Sequence, residues 1–380
     1  MIAATAFWFS FLSVVYAYAF YPLVLVVMSR WPVNTRKAAS AYSLPRVSIV
    51  IPAHNEAMVL RQKIENTLSL EYPAGLRQII VVSDGSQDAT NDIVREYEDG
   101  DRFKFVALQE RGGKAKALNA GVKVADGNVI VFSDASIMLE KGALRAIVAP
   151  FADEKIGCVS GEDHILGSSG EGMYGRYELW LRNLESKVDS IVGASGCFYA
   201  QRVETTKAFP EGVAPDFFSV LETVKSGYRA VTCPEARGRM IATVSTDKEF
   251  ERKVRTVVRG MAMLWDFRTA LFLPGRLRFS ISLLSHKLIR WLVPIFMIVA
   301  FVSSMILAME GGLFWVACFL TQVFAYGIAF TAWVGVIDVE RYHPVRILTF
   351  FISSNVAILQ AWLMFLSGQR IEIWQPTNRR

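Results

Sequence analysis

A single carboxylate, Asp134, interrupts the apolar run NVIVFSDASIML at residues 128–139. Residues 129–132 are β-branched or aromatic, which predicts a short buried strand. Burying an unpaired carboxylate costs several kcal/mol. Asp134 must therefore lie at the end of the strand, where the chain turns, or have a partner. That partner could be a backbone N–H, a basic side chain or a metal ion.

Polar side chains follow three of the predicted strands at their carboxyl ends. The segments are PAHNE (52–56), SDGSQDAT (83–90) and SDAS (133–136). In open parallel sheets, ligands bind beyond the carboxyl ends of the strands. Each segment alone could be turn chemistry, because Asp, Asn, Ser and Gly are favoured in turns. Their recurrence at one edge of the sheet favours a nucleotide site.

Two lysines follow a glycine pair in RGGKAKALNAG (111–121). Gly112 and Gly113 lead into a predicted helix, so Lys114 and Lys116 fall in its first turn. A cation there opposes the helix dipole, at a cost of roughly 0.3–1 kcal/mol for an exposed side chain. We expect a bound phosphate to offset this cost for Lys114, next to the glycines, and Lys116 to be solvated.

Strands alternate with helices through the charged part of the sequence. The predicted strands are 47–51, 79–83, 105–108 and 129–133, and the predicted helices are 56–70, 88–98 and 114–125. This alternation predicts an α/β fold with a mostly parallel sheet and helices packed on it.

The composition separates this charged middle from apolar ends. The 380 residues are 52% hydrophobic, and the net charge of +6 is too small to indicate nucleic-acid binding. Residues 1–29 carry no charge, and at about 1.5 Å per residue they can cross a hydrocarbon core of about 30 Å. Apolar stretches at about 288–308, 312–337 and 347–367 are also long enough to span. The four cysteines are far apart without CxxC spacing, which argues against a zinc site or a disulfide framework.

We expect four parts along the chain. These are an N-terminal transmembrane helix at 1–30, a soluble-type α/β domain at 45–245, amphipathic interface helices at 246–286, and about three transmembrane helices at 287–370. Basic residues just after the first span place the α/β domain in the cytoplasm by the positive-inside rule. Four full spans would leave a basic C-terminus outside, so the last segment is either re-entrant or an exception to the rule.

Six segments of the chain, in this order, resemble membrane-bound glycosyltransferases of family 2, the GT-A-fold enzymes of bacterial polysaccharide synthesis. They are VSIVIPAHNE, VVSDGSQDAT, GGKAKALNAG, VIVFSDAS, GEGMYGRYELWLRNLESKVDSIVGASGCFYAQR and PDFFSVLETVKSGYRAV. The resemblance covers nearly all of the chain. It implies a Rossmann-like GT-A domain flanked by transmembrane helices. It also implies an inverting transfer from a nucleotide sugar, usually a UDP-sugar, at the cytoplasmic face of the inner (plasma) membrane.

The resemblance further implies which residues hold the donor. Ala53 and Glu56 would lie near the ribose and base, Asp84 at the uracil, and Lys114 at the phosphates. Asp134 matches the family's Asp-x-Asp motif, which holds a divalent ion, Mg²⁺ or Mn²⁺, that bridges the diphosphate.

The metal motif departs from the family pattern, because its second acidic position is Ser136 here. Magnesium accepts one or two carboxylates together with phosphates and water. Asp134 alone could therefore suffice, with Ser136 contributing its hydroxyl or a water, and we expect weaker metal binding as a result.

Asp216, in APDFF, is the candidate catalytic base. An acceptor hydroxyl must lose its proton as it attacks a sugar carbon, and a positioned carboxylate typically contributes about 10²–10⁴-fold. Asp216 matches the second acid of the family's Glu/Asp–Asp motif, whose first position is Pro215 here. From the residues alone, Asp216 could equally be the N-cap of a helix.

The Gln-x-x-Arg-Trp motif of processive cellulose, chitin and hyaluronan synthases is missing. The matching region is EFERKVRTVVRGMAMLW (249–265), whose apolar residues share one face and predict an amphipathic helix at the membrane interface. Arg255 would aid the leaving diphosphate or contact lipid headgroups. GASGCFYA (193–200) would line the acceptor side or be a plain strand. Without the aromatic platform, we expect one or a few sugars to be added to a membrane-held acceptor.

The leading function implied is an inverting sugar transferase in extracellular or capsular polysaccharide synthesis. Its partners would be a nucleotide-sugar donor, a lipid-linked or polysaccharide acceptor, membrane lipids and other polysaccharide-synthesis proteins. The alternative is a catalytically weak partner subunit of another synthase, supported by the two missing motifs. A transporter is disfavoured, since the spans are few and no buried charge is expected in them.

Overall fold

The computed structural model describes residues 1–31, 43–166, 171–241, 246–337 and 342–369. Its helices are α1 (Ile2–Val15), α2 (Tyr21–Met28), α3 (Ala57–Leu68), α4 (Thr90–Arg95), α5 (Gly113–Val124), α6 (Ala143–Val148), α7 (Glu171–Val188), α8 (Pro215–Lys225), α9 (Thr246–Asp266), α10 (Leu277–Leu283), α11 (Arg290–Glu310), α12 (Leu313–Trp333) and α13 (His343–Leu366). Its strands are β1 (Val47–Ala53), β2 (Arg77–Asp84), β3 (Phe103–Leu108), β4 (Val129–Ser133), β5 (Met138–Leu139), β6 (Ile156–Leu166), β7 (Phe198–Arg202) and β8 (Arg229–Ile241). Short π-helical segments join α1 to α2 and α10 to α11.

The eight strands form one sheet in the order β3-β2-β1-β4-β7-β6-β8-β5. The four predicted strands, β1 to β4, are neighbours and all parallel, which confirms the predicted α/β fold. The other half of the sheet is mixed, because β7 runs antiparallel to both β4 and β6. Ala53 pairs with Ser83, so the polar segments after β1 and β2 begin at the same edge.

The sheet is buried on both faces. Along β1, Ile49 and Ile51 point into one apolar cluster while Val50 points into the other, as the two-residue period of a strand requires. Gly121 lets α5 approach the second face closely, because a β-carbon there would lie 2.5 Å from Val50 Cγ1. This close contact holds α5 against the sheet, and the helix begins at Gly113, near the edge where the polar segments meet.

One predicted helix is shorter than expected. The pattern at 88–98 predicts a helix from Asp88, but α4 begins at Thr90. The two carboxylate oxygens of Asp88 accept the backbone N–H groups of Thr90 (3.0 Å) and Ala57 (3.1 Å). Asp88 therefore lies outside the helix and accepts hydrogen bonds from the first residues of both α3 and α4.

The amphipathic face of α9 lies against protein. Val254, Val258 and Met261 are buried in the cluster that also contains Phe217 of α8 and Ala357 of α13. The predicted apolar face is therefore correct, and its partners are the α/β domain and the last apolar helix.

Four helical segments are long and apolar enough to span a membrane. They are Ile2–Met28, Leu277–Glu310, Leu313–Trp333 and His343–Leu366. The expectation that they hold no buried charge is wrong, because Arg290 is only 6% exposed within the second segment. Its guanidinium is paired with Glu178 of α7 at 2.7 Å, so the α/β domain supplies the counter-charge.

Candidate active site

All the residues expected to hold the donor line one narrow cleft at the carboxyl edge of the sheet. Its lining consists of Pro52, Ala53, His54, Glu56, Asp84, Lys114, Ala117, Asp134, Ala135 and Ser136. The cleft lies where the polar segments after β1, β2 and β4 converge on the start of α5.

The first two of these segments are fastened to each other. The His54 ring contacts the backbone carbonyl of Asp84 through Nδ1 at 2.6 Å. The side-chain carbonyl of Asn55 accepts the backbone N–H of Gln87 at 2.8 Å, and Asn55 adopts a left-handed φ of 53°. Asn is one of the few non-glycine residues that tolerate this conformation. His54 and Asn55 are therefore structural parts of the site that the sequence did not single out.

Asp84 anchors the glycine pair before α5. Its carboxylate accepts the backbone N–H groups of Gly112 (2.7 Å) and Gly113 (2.8 Å), and the side chain is almost fully buried. Asp84 thus satisfies N–H groups at the helix start that no helical carbonyl can reach. Contact with a uracil ring stays a prediction for this residue.

The partner of Asp134 in the structure is Lys114. Its Nζ lies 2.5 Å from Asp134 Oδ1 and donates to the carbonyl of Gly196 at 2.7 Å. Burial lowers the pKa of Lys114, but Asp134, Cys197 and Asp216 together outweigh this effect, and the net pKa is raised. Lys116, expected to be solvated, is exposed.

A second lysine lies beneath the Asp134 segment and was not predicted. Lys63 of α3 is fully buried, and its Nζ donates to Ser133 Oγ and to the carbonyl of Ile137, both at 2.7 Å. Burial lowers its pKa to about 7, against the opposing effect of Asp134. Lys63 holds both ends of the turn that carries Asp134, and a lone lysine in a helical pattern gives no signal of that.

The segment GASGCFYA joins the cleft to the next part of the site. Only Phe198–Arg202 form β7, so the interpretation of the whole segment as a plain strand is wrong. The carbonyl of Cys197 accepts the backbone N–H of Asp134 at 3.0 Å. Ser195 Oγ donates to Asp163 at 2.6 Å and accepts the N–H of Phe198 at 2.9 Å. Burial raises the pKa of Asp163, and the Ser195 hydrogen bond opposes that effect.

Asp216 lines a second, larger cavity of about 580 Å³. It lies in the first turn of α8, where Ala214 is the N-cap, so the interpretation of Asp216 as the N-cap is wrong. Burial raises the pKa of Asp216, and the nearby ammonium groups of Lys114 and Lys287 oppose that rise. A β-carbon on Gly196 would lie 4.0 Å from Asp216 Cγ, so one loop touches both the Lys114 pair and the candidate base.

The walls of this cavity come from the α/β domain, from α9 and from three of the apolar segments. They comprise Tyr18, Tyr174, Tyr177, Glu178, Arg182, Val192, Gly193, Ala194, Ala214, Asp216, Phe217, Thr256, Val257, Gly260, His286, Lys287, Arg290, Trp291, Arg346, Ile347, Phe350, Phe351, Ser354 and Ile358. The cavity could therefore receive an acceptor from the side of the apolar helices.

The residues at the cleft fit a divalent ion that is shared with a diphosphate. The described part of the chain contains no group of three or more His, Cys, Asp or Glu side chains that could hold a metal alone. Asp134 and Ser136 both line the cleft, and one carboxylate with phosphate oxygens and waters is an adequate set for Mg²⁺ or Mn²⁺. The role of Asp134 as the metal ligand stays a prediction.

Arg255 and Arg259 form a basic pair on α9. Burial, and then the like charge of Arg255, lower the pKa of Arg259, while the Asp216 carboxylate opposes this. The predicted role of Arg255 at the leaving diphosphate stays a prediction.

Residues 48–198 match the family model for glycosyl transferase family 2. A probable glycosyltransferase, YdaM, of Bacillus subtilis is 40% identical over 131 residues, which is 33% of this chain and 31% of that protein. The poly-β-1,6-N-acetyl-D-glucosamine synthase of Staphylococcus aureus is 30% identical over 141 residues, which is 37% of this chain and 34% of that protein. The match thus spans about a third of the length of these relatives.

One solved structure resembles the chain along almost its whole length. It is the mannosyltransferase PcManGT from Pyrobaculum calidifontis in complex with GDP-Man and Mn²⁺. The similarity covers 97% of this chain and 100% of that one, with a TM-score of 0.73 and 23% sequence identity. The two proteins share the GT-A fold.

Proposed function

Because residues 48–198 form a glycosyltransferase family 2 domain within a GT-A fold, we propose that the protein transfers a sugar, with inversion, from a nucleotide-sugar donor to an acceptor in the larger cavity. The observation that carries the proposal is that the loop containing Gly196 contacts both the donor cleft and the larger cavity. Gly196 accepts a hydrogen bond from Lys114 in the donor cleft and lies beside Asp216 in the larger cavity. The sugar of a bound donor that extends out of the cleft at this point would lie beside Asp216, the candidate base.

The reaction needs one proton acceptor and a stabilised leaving group. The acceptor hydroxyl oxygen attacks the anomeric carbon, its proton passes to the Asp216 carboxylate, and the bond from that carbon to the diphosphate breaks with its electron pair on the diphosphate. Attack from the face opposite the leaving group inverts the configuration. The raised pKa of Asp216 makes it a stronger base than an ordinary aspartate, which suits this role.

Lys114 and Asp134 would hold the diphosphate. The Lys114 ammonium would pair with a phosphate oxygen, and Asp134 with Ser136 would hold Mg²⁺ or Mn²⁺. A divalent ion there supplies positive charge that neutralises the leaving diphosphate. The Mn²⁺ and GDP-Man in the similar mannosyltransferase support a nucleotide sugar with a divalent ion, and the family resemblance favours UDP as the nucleotide.

The membrane setting of the proposal rests on the four apolar segments. We place the α/β domain at the cytoplasmic face of the inner (plasma) membrane, with a lipid-linked or polysaccharide acceptor. The poly-β-1,6-N-acetyl-D-glucosamine synthases support a role in polysaccharide synthesis. We expect one or a few additions per acceptor, because the Gln-x-x-Arg-Trp motif is missing and Trp265, the nearest tryptophan to that region, does not line the cavity. Trp291 does line it but is only 8% exposed.

The test is donor turnover by the purified full chain in nanodiscs. UDP- and GDP-sugars are screened with Mn²⁺ and a bacterial membrane-lipid extract that supplies acceptors, and the release of nucleoside diphosphate that depends on the extract is measured. Wild type should consume one donor, and Asp216→Asn should lose transfer while still binding that donor, because an amide cannot take up the proton. The matched control is Asp92→Asn, an exposed carboxylate on α4.

Substantial residual transfer by Asp216→Asn would remove Asp216 from the reaction. Failure of wild type to consume any donor would favour the alternative function, a catalytically weak partner of another synthase.

A further inference from the structure

The larger cavity is lined by charged side chains of both signs. Its lining includes Arg182, Lys287 and Arg290 together with Glu178 and Asp216. The charges that have no partner within the protein indicate what kind of ligand the cavity can hold.

The two glutamates nearest to Lys287, Glu178 and Glu185, have other partners. Arg290 binds Glu178 at 2.7 Å, and His286 bridges Glu178 at 3.0 Å and Glu185 at 2.7 Å. Tyr21 also donates to Glu185 at 2.7 Å. The two glutamates are therefore occupied by partners other than Lys287.

Lys287 has no such partner in the described part of the chain. Among the described residues, no carboxylate lies within 4.0 Å of its Nζ and no hydrogen-bond acceptor is in place. The ammonium lies 5.5 Å from the centre of the Phe217 ring, and a β-carbon on Gly193 would lie 3.6 Å from it. The ammonium lies beside Phe217, the residue after Asp216, and lines the cavity without an acceptor from the described residues, so an anionic ligand in the cavity would supply that partner.

The donor diphosphate is not that ligand. The donor cleft has its own cation, Lys114, and Lys287 is absent from its lining. Lys287 instead lines the larger cavity together with Asp216. The two lysines thus lie on the donor side and on the acceptor side of the candidate base.

The position of the cavity indicates a lipid. Arg346, Phe350, Ser354 and Ile358 of α13 line it at four-residue intervals, which is one face of a helix. Tyr18 comes from the first apolar segment and Lys287 from the second. A ligand in this cavity is therefore enclosed by three helices that could span a membrane, and an apolar tail could pass between them.

We propose, resting on the proposed function, that the acceptor is a lipid that carries its sugar on a phosphate or diphosphate, and that Lys287 contacts that phosphate. The sugar then lies between Lys287 and Asp216, where the hydroxyl to be glycosylated can reach the carboxylate. Tyr174 and Tyr177, which line the same cavity, supply aromatic surface for the sugar or the first part of the lipid.

The test compares a lipid phosphate with its uncharged counterpart. Binding of farnesyl phosphate, farnesol and inorganic phosphate to the purified full chain in detergent is measured by calorimetry. Wild type should bind farnesyl phosphate at least about tenfold more tightly than farnesol, since a hydrogen bond to a charged group contributes about 1.5–3 kcal/mol. Inorganic phosphate should bind more weakly than farnesyl phosphate, because it lacks the apolar tail.

Three variants locate the effect. Lys287→Gln should remove the preference for farnesyl phosphate, and Lys287→Arg should keep most of it. Lys155→Gln, at an exposed lysine that does not line the cavity, should leave the preference unchanged. Binding of UDP with Mn²⁺ should be the same in all four proteins. Thermal melting of each variant establishes that it is folded.

Equal binding of farnesyl phosphate and farnesol by wild type would overturn the proposal. So would a preference that Lys287→Gln retains, or a loss of UDP binding in Lys287→Gln, which would assign the lysine to the donor. Inorganic phosphate binding as tightly as farnesyl phosphate would show a simple anion site. None of these results changes the outcome of the donor-turnover test of Asp216. The lipid-phosphate proposal can therefore be contradicted while the proposed sugar transfer stands, and the reverse is also true.

Discussion

Lys114 Nζ lies 2.5 Å from Asp134 Oδ1, so the cation expected to hold the donor phosphates neutralises the carboxylate expected to hold the metal. Each side chain is less than one-fifth exposed, which strengthens their mutual attraction relative to water. A metal ion alone must compete with the Lys114 ammonium for Asp134. A nucleotide with its metal offers both groups new partners at once, so we expect the two to bind together.

Replacing Lys114 by methionine should therefore have opposite effects on two ligands. Lys114→Met should tighten the binding of Mn²⁺ alone, because Asp134 loses its competing cation. It should weaken the binding of UDP in the presence of Mn²⁺ by about tenfold or more, since a charge-assisted hydrogen bond to phosphate is lost. Calorimetry measures both, and Lys116→Met, at the exposed lysine of the same helix turn, is the control. Loss of both affinities together would mean that Lys114 only supports the fold.

Asp134 is expected to account for the metal dependence of nucleotide binding. Asp134→Ala should make the affinity for UDP insensitive to Mn²⁺, whereas Asp126→Ala, at an exposed carboxylate paired with Arg46, should behave as wild type. Ser136→Asp should tighten Mn²⁺ binding, because it adds a second carboxylate to the same cleft. An unchanged Mn²⁺ dependence in Asp134→Ala would leave Asp134 as a residue of the turn.

The parallel half of the fold was predictable because its strands have a clear local sequence pattern. β1, β2 and β4 are runs of β-branched residues, and each is followed by polar turn formers. The mixed half gives no such signal, because β6 and β7 contain buried polar residues such as Ser160 and Gln201. Their burial depends on partners that lie far away in the sequence.

The site was also predictable only in part. The residues of the donor cleft follow strands or open a helix, so their position in the fold is set by local patterns. The pairing of Asp134 with Lys114 depends on how α5 packs against the sheet, which the sequence left open among three kinds of partner. Lys287 was missed as a site residue because a lysine at the start of an apolar helix also fits a membrane interface.

The pH dependence of transfer should report the ionisation of Asp216. Because its pKa is raised by burial, kcat/KM should fall on acidification at a pH above the ordinary range of an aspartate, about 3.9. Lys287 opposes that rise, so Lys287→Gln should move the acidic limb to higher pH as well as reduce the rate. The control is Lys155→Gln, whose profile should overlay that of wild type. An acidic limb at the same pH in Lys287→Gln would contradict this electrostatic coupling.

Lys63 should make the stability of the protein depend on pH in the mildly alkaline range. Its pKa is about 7 in the folded protein, whereas an unfolded lysine titrates near 10.4. Below pH 7 both states hold the proton, so Lys63 contributes no pH dependence there. Between about pH 7 and 10 the unfolded state binds more protons, so stability rises with pH by up to about 1.4 kcal/mol per pH unit.

Lys63→Met should abolish that rise, because methionine has a similar length and no ionisable group. The substitution also leaves the carbonyl of Ile137 without its donor, which should cost about 1–3 kcal/mol and loosen the turn that carries Asp134. The measurement is the thermal midpoint of wild type and variant in detergent at pH 7, 8 and 9, with Lys116→Met as the exposed control. The difference between wild type and Lys63→Met should grow with pH, since only wild type gains stability as the buried ammonium gives up its proton. Parallel pH profiles for the two proteins would show that Lys63 stays charged in the folded state, held by the carboxylate of Asp134.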